Sequence, residues 1–137
     1  MTKVFVDTDV CLDLLSGRAP FNKSAEMLFS LADRKSIKIY VSSLSFSNID
    51  YVLKSQYASI HSRQIIAKFK TLVVVLPVES KTIDLAIASD FHDFEDAIQY
   101  SCAIENNLKT IITRNIKDYK KSTIAVLTPE SFIALSH

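Results

Sequence analysis

The chain has a single glycine, Gly17, among 137 residues. A phosphate-cradling P-loop and a dinucleotide-binding fingerprint each need several glycines, because the backbone itself must approach the phosphates. A nucleotide cofactor held in either way is therefore excluded. Cysteine is also scarce. Cys11 and Cys102 both fall in apolar helical patterns and read as small buried hydrophobes in a reducing cytoplasm. His61, His92 and His137 are scattered, and no cysteine or histidine cluster has the spacing of zinc ligands. No apolar run reaches the ~18 residues of a membrane span. The first residues lack the basic, apolar and small-residue regions of a signal peptide. The expectation is a cytoplasmic protein with no membrane partner. Repeats, low-complexity segments and linkers are absent as well.

What is present suits one domain spanning 1–137, with 48% hydrophobic and 23% charged residues. The net charge of +1 hides an uneven distribution. The segment 90–96, "DFHDFED", carries Asp90, Asp93, Glu95 and Asp96. The segment 109–121, "KTIITRNIKDYKK", carries Lys109, Arg114, Lys117, Lys120 and Lys121 against Asp118 alone. Either run by itself is an ordinary solvated face. Together they suit a polyanion and the cations that neutralise it.

Hydrophobic periodicity sets the order of elements. "VFV" at 4–6 is a short buried strand, and a helix begins near Asp9 and stops at Gly17, which is free to adopt positive φ. Helices are expected over 20–35, 43–56, 59–70, 80–89 and 94–106. Strands are expected over 37–42, 72–78, 110–113 and 123–128, and a terminal helix starts at Pro129. Strands alternating with helices imply an α/β three-layer sandwich around a mostly parallel sheet. Right-handed crossovers then bring all the strand ends to one edge.

Three acids land on that edge. Asp7 ends the first strand, where open parallel sheets bind ligands. Its neighbour Asp9 is expected to cap the following helix. Asp96 lies in the first turn of the helix 94–106, either completing a capping box with Asp93 or serving the site. "TRNIKD" places Asn115 and Asp118 just past the strand 110–113; Asp118 alone would pass for a turn residue. Clustered carboxylates stay ionised only when cations compensate them. Mg²⁺ or Mn²⁺ is the natural partner, because hard ions prefer oxygen ligands and bind substrate phosphates too. Two such ions stabilise both the attacking and the leaving oxygen of a phosphodiester displacement. The lysine-rich 109–121 segment would hold flanking phosphates. This is the chemistry of a metal-dependent nuclease.

"VFVDTDVCLDLL", "FEDAIQYSCAIENNLKTIITRNIKDY" and "AVLTPESFI" resemble the PIN domain, most of all its bacterial branch related to VapC toxins. The resemblance runs over nearly the whole chain in the right order. It implies a parallel sheet flanked by helices and an acidic Mg²⁺ or Mn²⁺ site that cleaves RNA. It also implies an antitoxin protein as partner. A homodimer formed through the helices 43–56 and 59–70 is a further expectation. By the resemblance Asp7, Asp96 and Asp118 are the metal-binding acids, with Asn115 beside them. By the same resemblance Thr113 and Arg114 touch substrate or orient the ligands, while Lys117 and Lys120 of the basic segment are the expected phosphate contacts. One departure matters: the family's helix after the second strand typically carries a glutamate, and Asn48 stands there. Asp50 lies about 200° around the helix from Asn48 and should face away, so Asn48 is the expected site residue; a core-edge asparagine bonded to nearby backbone is the alternative. Rival classes are a phosphoaspartyl phosphatase using Asp7 and Asp9, a receiver domain, and a non-catalytic RNA- or protein-binding module on the same scaffold. The first is disfavoured by the short, glycine-poor chain. The second is disfavoured by the apolar end of the strand 72–78, which offers no phospho-acceptor aspartate.

Overall fold

The computed structural model describes residues 1–136, and His137 lies outside the described residues. The first strand, β1 (Thr2–Val6), leads into α1 (Thr8–Leu15) and α2 (Asn22–Asp33). β2 (Ile37–Ser42) is followed by α3 (Leu44–Leu53) and α4 (Ser59–Lys70). β3 (Val74–Leu76) precedes α5 (Ser80–Ala88) and α6 (Phe94–Glu105). β4 (Thr110–Ile112), a 3-10 helix (Ile116–Tyr119), β5 (Ala125–Leu127) and α7 (Pro129–Ser136) complete the chain. The expected elements are all present. The strands expected over 72–78 and 123–128 shorten to three residues each, and the helix expected over 20–35 starts at Asn22, past Pro20.

The strands form one five-stranded sheet in the order β3-β2-β1-β4-β5, and every pair is parallel. Side chains alternate across it, as the pleat requires. Val4, Val6, Ile37, Ile39, Val41 and Ile112 face one side, where they bury Val10, Leu28, Phe29, Ile49, Leu53, Phe69 and Phe132 from the surrounding helices. Phe5 and Ile111 face the other, against Cys102, Ala103, Leu108 and Tyr119. α5 and α6 meet through Ala86, Ala97 and Ile98. Helix, sheet and helix therefore make three layers. Both cysteines are buried and free, and burial pushes the Cys102 thiol up to about 12.

Gly17 ends α1 with φ +63°. Two other helices end on a left-handed residue that is not glycine. After α2, Lys35 takes φ 63°; its N–H donates to Ala32 O at 3.0 Å and that of Ser36 to Leu31 O at 2.8 Å. After α6, Asn107 takes φ 58°, with the same two bonds made by Asn107 and Leu108. Both are Schellman closures. Asparagine tolerates the left-handed conformation, whereas lysine adopts it at a cost of about 1 kcal/mol.

The strand order fixes where a ligand can bind. The chain runs outward from β1 through β2 to β3, then returns to place β4 on the other side of β1. This reversal opens a crevice at the carboxyl ends of β1 and β4, the switch point where open α/β sheets bind ligands. Asp7 leaves β1 there, its N–H donating to Ile112 O at 2.9 Å. Thr113 leaves β4 beside it. No helix among the described residues is long and apolar enough to cross a membrane.

Candidate active site

β1 ends at Asp7 because Asp7, not Asp9, is the N-cap of α1. Its Oδ1 accepts from Thr8 N at 2.8 Å. Its Oδ2 accepts from the Thr113 hydroxyl and the Tyr119 hydroxyl, both at 3.0 Å. Asp9 therefore lies inside the first turn, and its side chain reaches across to the chain leaving β4. Asp9 Oδ2 accepts from Thr113 Oγ1 at 3.2 Å, Arg114 N at 3.0 Å and Asn115 Nδ2 at 3.2 Å. Thr113 thus bridges the two carboxylates from a fully buried position.

The second group of acids comes from α6 and the 3-10 helix. Asp93 caps α6 by accepting from Asp96 N at 3.0 Å. No hydrogen bond from the described residues reaches the carboxylate of Asp96 or Asp118. From α3, Asn48 Nδ2 donates to Glu95 Oε1 at 2.6 Å. An open hollow of about 430 Å³ has Asp7, Asp9, Asp93, Glu95, Asp96 and Asp118 in its lining, with Asn48 and Asn115.

The electrostatics follow from this crowding. Asp7 is only 8% exposed, and burial, reinforced by Asp9, raises its carboxyl to about 7. Burial raises Asp9 as well, although the bonds from Arg114 N and Val10 N oppose it. Asp96 is pushed up to about 7, first by desolvation and then by Asp93, Asp118, Glu95 and Asp9. Tyr119 is raised by burial and by Asp7, so its hydroxyl remains a donor. Such a site holds its full negative charge at neutral pH only with cations present.

Two networks hold the hollow in shape. Gln99, one turn after Asp96, is fully buried. Its Oε1 accepts from Ser42 Oγ at 2.5 Å, and its Nε2 donates to Thr8 and Ser45 hydroxyls at 3.1 Å. This ties α6 to the ends of β1 and β2. No buried side-chain polar atom among the described residues lacks a partner. On the other flank, Arg114 grips Asp13 through Nε at 2.6 Å and Nη2 at 3.2 Å, with its guanidinium over the Phe21 ring at 4.0 Å.

Placed against the sequence expectations, Asp7, Asp96, Asp118, Asn48 and Asn115 all line the one hollow. Asp50 does not; it accepts from Ser62 at 2.8 Å and pairs with Lys54 at 3.3 Å. Four readings change. Asp9 is a lining acid rather than a cap, because Asp7 takes the capping position two residues earlier. Arg114 does not present its guanidinium to substrate, because Asp13, 1% exposed, holds it. Thr113 orients Asp7 and Asp9 from a buried position, out of a substrate's reach. Lys109 precedes β4 and so sits at the sheet edge away from the acids. Lys117 and Lys120 lie in a groove adjoining the hollow. Asp13, Gln99 and Tyr119 escaped the sequence reading. The four-residue spacing of Asp9 and Asp13 on one helix face was the available signal for Asp13.

The donors fit a hard divalent cation. Every lining group with a free lone pair is an oxygen, the preferred ligand of Mg²⁺ and Mn²⁺. A carboxylate has about four acceptor sites. Oδ2 of Asp7 and of Asp9 is used inside the protein, each Oδ1 accepts one backbone bond, and Asp96 and Asp118 keep theirs. No three Asp, Glu, His or Cys side chains among the described residues already form a metal cage. This is compatible with Mg²⁺, which keeps several waters and needs only one or two carboxylates.

A parallel sheet with this acidic switch point defines an α/β domain with an acidic site at its strand ends. The PIN domain family profile matches residues 3–117, and the chain belongs to that family. It is 28% identical over 138 residues to Ribonuclease VapC1 of Aquifex aeolicus (strain VF5), covering 95% of this chain and 92% of that one. A toxin-antitoxin complex from Klebsiella pneumoniae has a chain of the same fold, with TM-score 0.70 and 21% identity over 92% of this chain and 97% of that one. The DNA-bound VapBC of Salmonella typhimurium has another, with TM-score 0.71 and 14% identity over 94% and 99%. At these identities the two structures bear on the fold alone.

Proposed function

We propose that the chain is a Mg²⁺- or Mn²⁺-dependent endoribonuclease, acting in the cytoplasm as the toxin of a toxin-antitoxin pair. The observation that carries this reading is the convergence of Asp7, Asp9, Asp96 and Asp118 on one open hollow at the switch point. The similarity to a protein named as a ribonuclease supports it.

Asp7, Asp96 and Asp118 would hold the ion, with Asp9 beside them. When bound, the ion supplies Lewis acidity at the phosphate and an activated water. The protein's own groups do the rest. Thr113 and Tyr119 fix the Asp7 carboxylate by donating to Oδ2. Asn115 and the Arg114 N–H fix Asp9. Arg114 acts through Asp13, as a clamp on the loop that carries Asn115. Asn48 orients Glu95 and brings no charge to the lining of the hollow. Lys117 and Lys120 hold phosphates of the RNA.

A second reading, a weakly active or inactive RNA- or protein-binding module, is favoured by Asn48, which brings no charge where the family resemblance implies a glutamate. Incubating purified chain with single-stranded RNA in Mn²⁺ and in EDTA separates the two readings. An antitoxin is the expected protein partner, and co-purification with the product of the adjacent gene tests it. A second copy is proposed to dock on α3, the turn after it and α4, where Tyr51, Tyr57 and Ile60 respectively are exposed; sedimentation with Tyr51→Ala and Ile60→Ala tests that surface.

A further inference from the structure

A groove of about 390 Å³ adjoins the acidic hollow and shares Asp93, Asp96 and Asp118 with it. One wall is the loop between α5 and α6, with Phe91 and His92. The other is the 3-10 helix and the turn after it, with Lys117, Lys120 and Lys121. Phe91 stacks on Tyr100, with centroids 4.7 Å apart and planes 28° apart, and meets Tyr119 edge-on at 5.8 Å. Tyr100 is itself held by Thr123, whose N–H donates to the phenol oxygen at 3.1 Å. The half-buried Phe91 ring is therefore a fixed apolar surface. His92 beside it is exposed.

A packed ring and a row of ammonium groups lining one groove match the two halves of a nucleotide. The base stacks on the ring, and the phosphate lies against the lysines. Asp90, Asp93, Asp96 and Asp118 line the groove together with the three lysines. Asp93 turns one oxygen to the Asp96 N–H, and Asp96 and Asp118 also line the acidic hollow, where a divalent cation would offset their charge. The phosphate therefore belongs on the lysine wall.

We infer that this groove holds the nucleotide next to the scissile phosphate of a single-stranded RNA, its base stacked on Phe91 beside His92 and its phosphate on Lys117, Lys120 and Lys121. The inference rests on the ribonuclease reading and gives the strand its path away from the acids. It separates the roles of the two cavities: the hollow performs the chemistry, and the groove sets affinity and register.

The test measures cleavage of a short, unstructured, fluorescent oligoribonucleotide in Mn²⁺ by the full chain. The variants are Phe91→Leu, which keeps apolar volume, His92→Ala on the surface, and the pair Lys117→Ala with Lys120→Ala. Lys23→Ala, on α2, is the control. Phe91→Leu should raise KM about tenfold, the loss of one stacked base, with kcat within about twofold. His92→Ala should raise KM less and leave kcat unchanged, which keeps the test open should Phe91→Leu fold poorly. The paired lysine variant should raise KM and flatten the salt slope by roughly 1.4, two single-strand phosphate contacts. Cleavage by wild type with KM unmoved in all three variants overturns the groove and leaves the ribonuclease standing. Wild type that neither binds nor cuts the oligonucleotide in Mn²⁺ overturns both.

Discussion

Replacing Asp7 with asparagine should stabilise the metal-free protein at pH 8 and leave it nearly unchanged at pH 5. Burial and Asp9 raise the Asp7 carboxyl from its ordinary 3.8 to about 7. Between those values the folded chain binds more protons than the unfolded chain, so stability falls as pH rises through the window. Above pH 7 the accumulated penalty is on the order of 4 kcal/mol. At pH 5 it is roughly 1.6 kcal/mol, because only the first part of the window has been crossed. An asparagine removes the charge and keeps the cap. Its oxygen accepts from Thr8 N, and its amide donates to the Thr113 or Tyr119 hydroxyl. One hydroxyl then needs a new partner, which costs about 1 kcal/mol. The net gain is about 3 kcal/mol at pH 8 and about 0.5 kcal/mol at pH 5. Urea denaturation in EDTA reads this directly, as a midpoint about 1–2 M higher for the variant at pH 8. A variant no more stable than wild type at pH 8, or a gain equal at both pH values, would refute the burial argument.

The other expectations are simpler. Asp13→Ala leaves Arg114 without its carboxylate and should lower stability by ~3 kcal/mol, the low end for a broken buried pair because Arg114 is partly exposed; thermal unfolding checks it. Lys35→Gly should raise stability by about 1 kcal/mol by relieving the left-handed backbone after α2, measured in urea. Asn48→Glu should tighten Mn²⁺ binding in calorimetry by adding a carboxylate beside Glu95, whereas Asp50→Asn, whose oxygens serve Ser62 and Lys54, should leave it unchanged. Equal titrations for wild type and Asn48→Glu would remove Asn48 from the site.

The sheet was legible because its strands are short apolar runs separated by helix-period segments, and both signals are local. The destination of Asp7 was legible for the same reason, since a strand end is a position along the chain. Asp9 was not. "DTD" offers two caps two residues apart, and local sequence does not choose between them. The choice is made from β4, by Arg114 N and Asn115 Nδ2 reaching Asp9 and by Thr113 and Tyr119 reaching Asp7. Arg114 was misread for a related reason. An arginine in a basic run resembles a phosphate contact until Asp13, 101 residues away, claims it. Gln99 carried no pattern of its own, because a buried glutamine one turn after an acid acquires its meaning only when Ser42, Thr8 and Ser45 surround it. Lysines outside tight packing stayed where the sequence put them: Lys117 and Lys120 lie by the groove.

The most direct test of the acidic hollow as a metal-dependent ribonuclease centre is cleavage of single-stranded RNA by wild type and Asp96→Asn, each in Mn²⁺ and in EDTA. Asp96 makes no hydrogen bond through its carboxylate, so the substitution removes the proposed ligand without breaking the fold. Cleavage by wild type in Mn²⁺ alone, with little or none by Asp96→Asn, is the expected result. Cleavage that survives EDTA, or an Asp96→Asn variant as active as wild type, would contradict it.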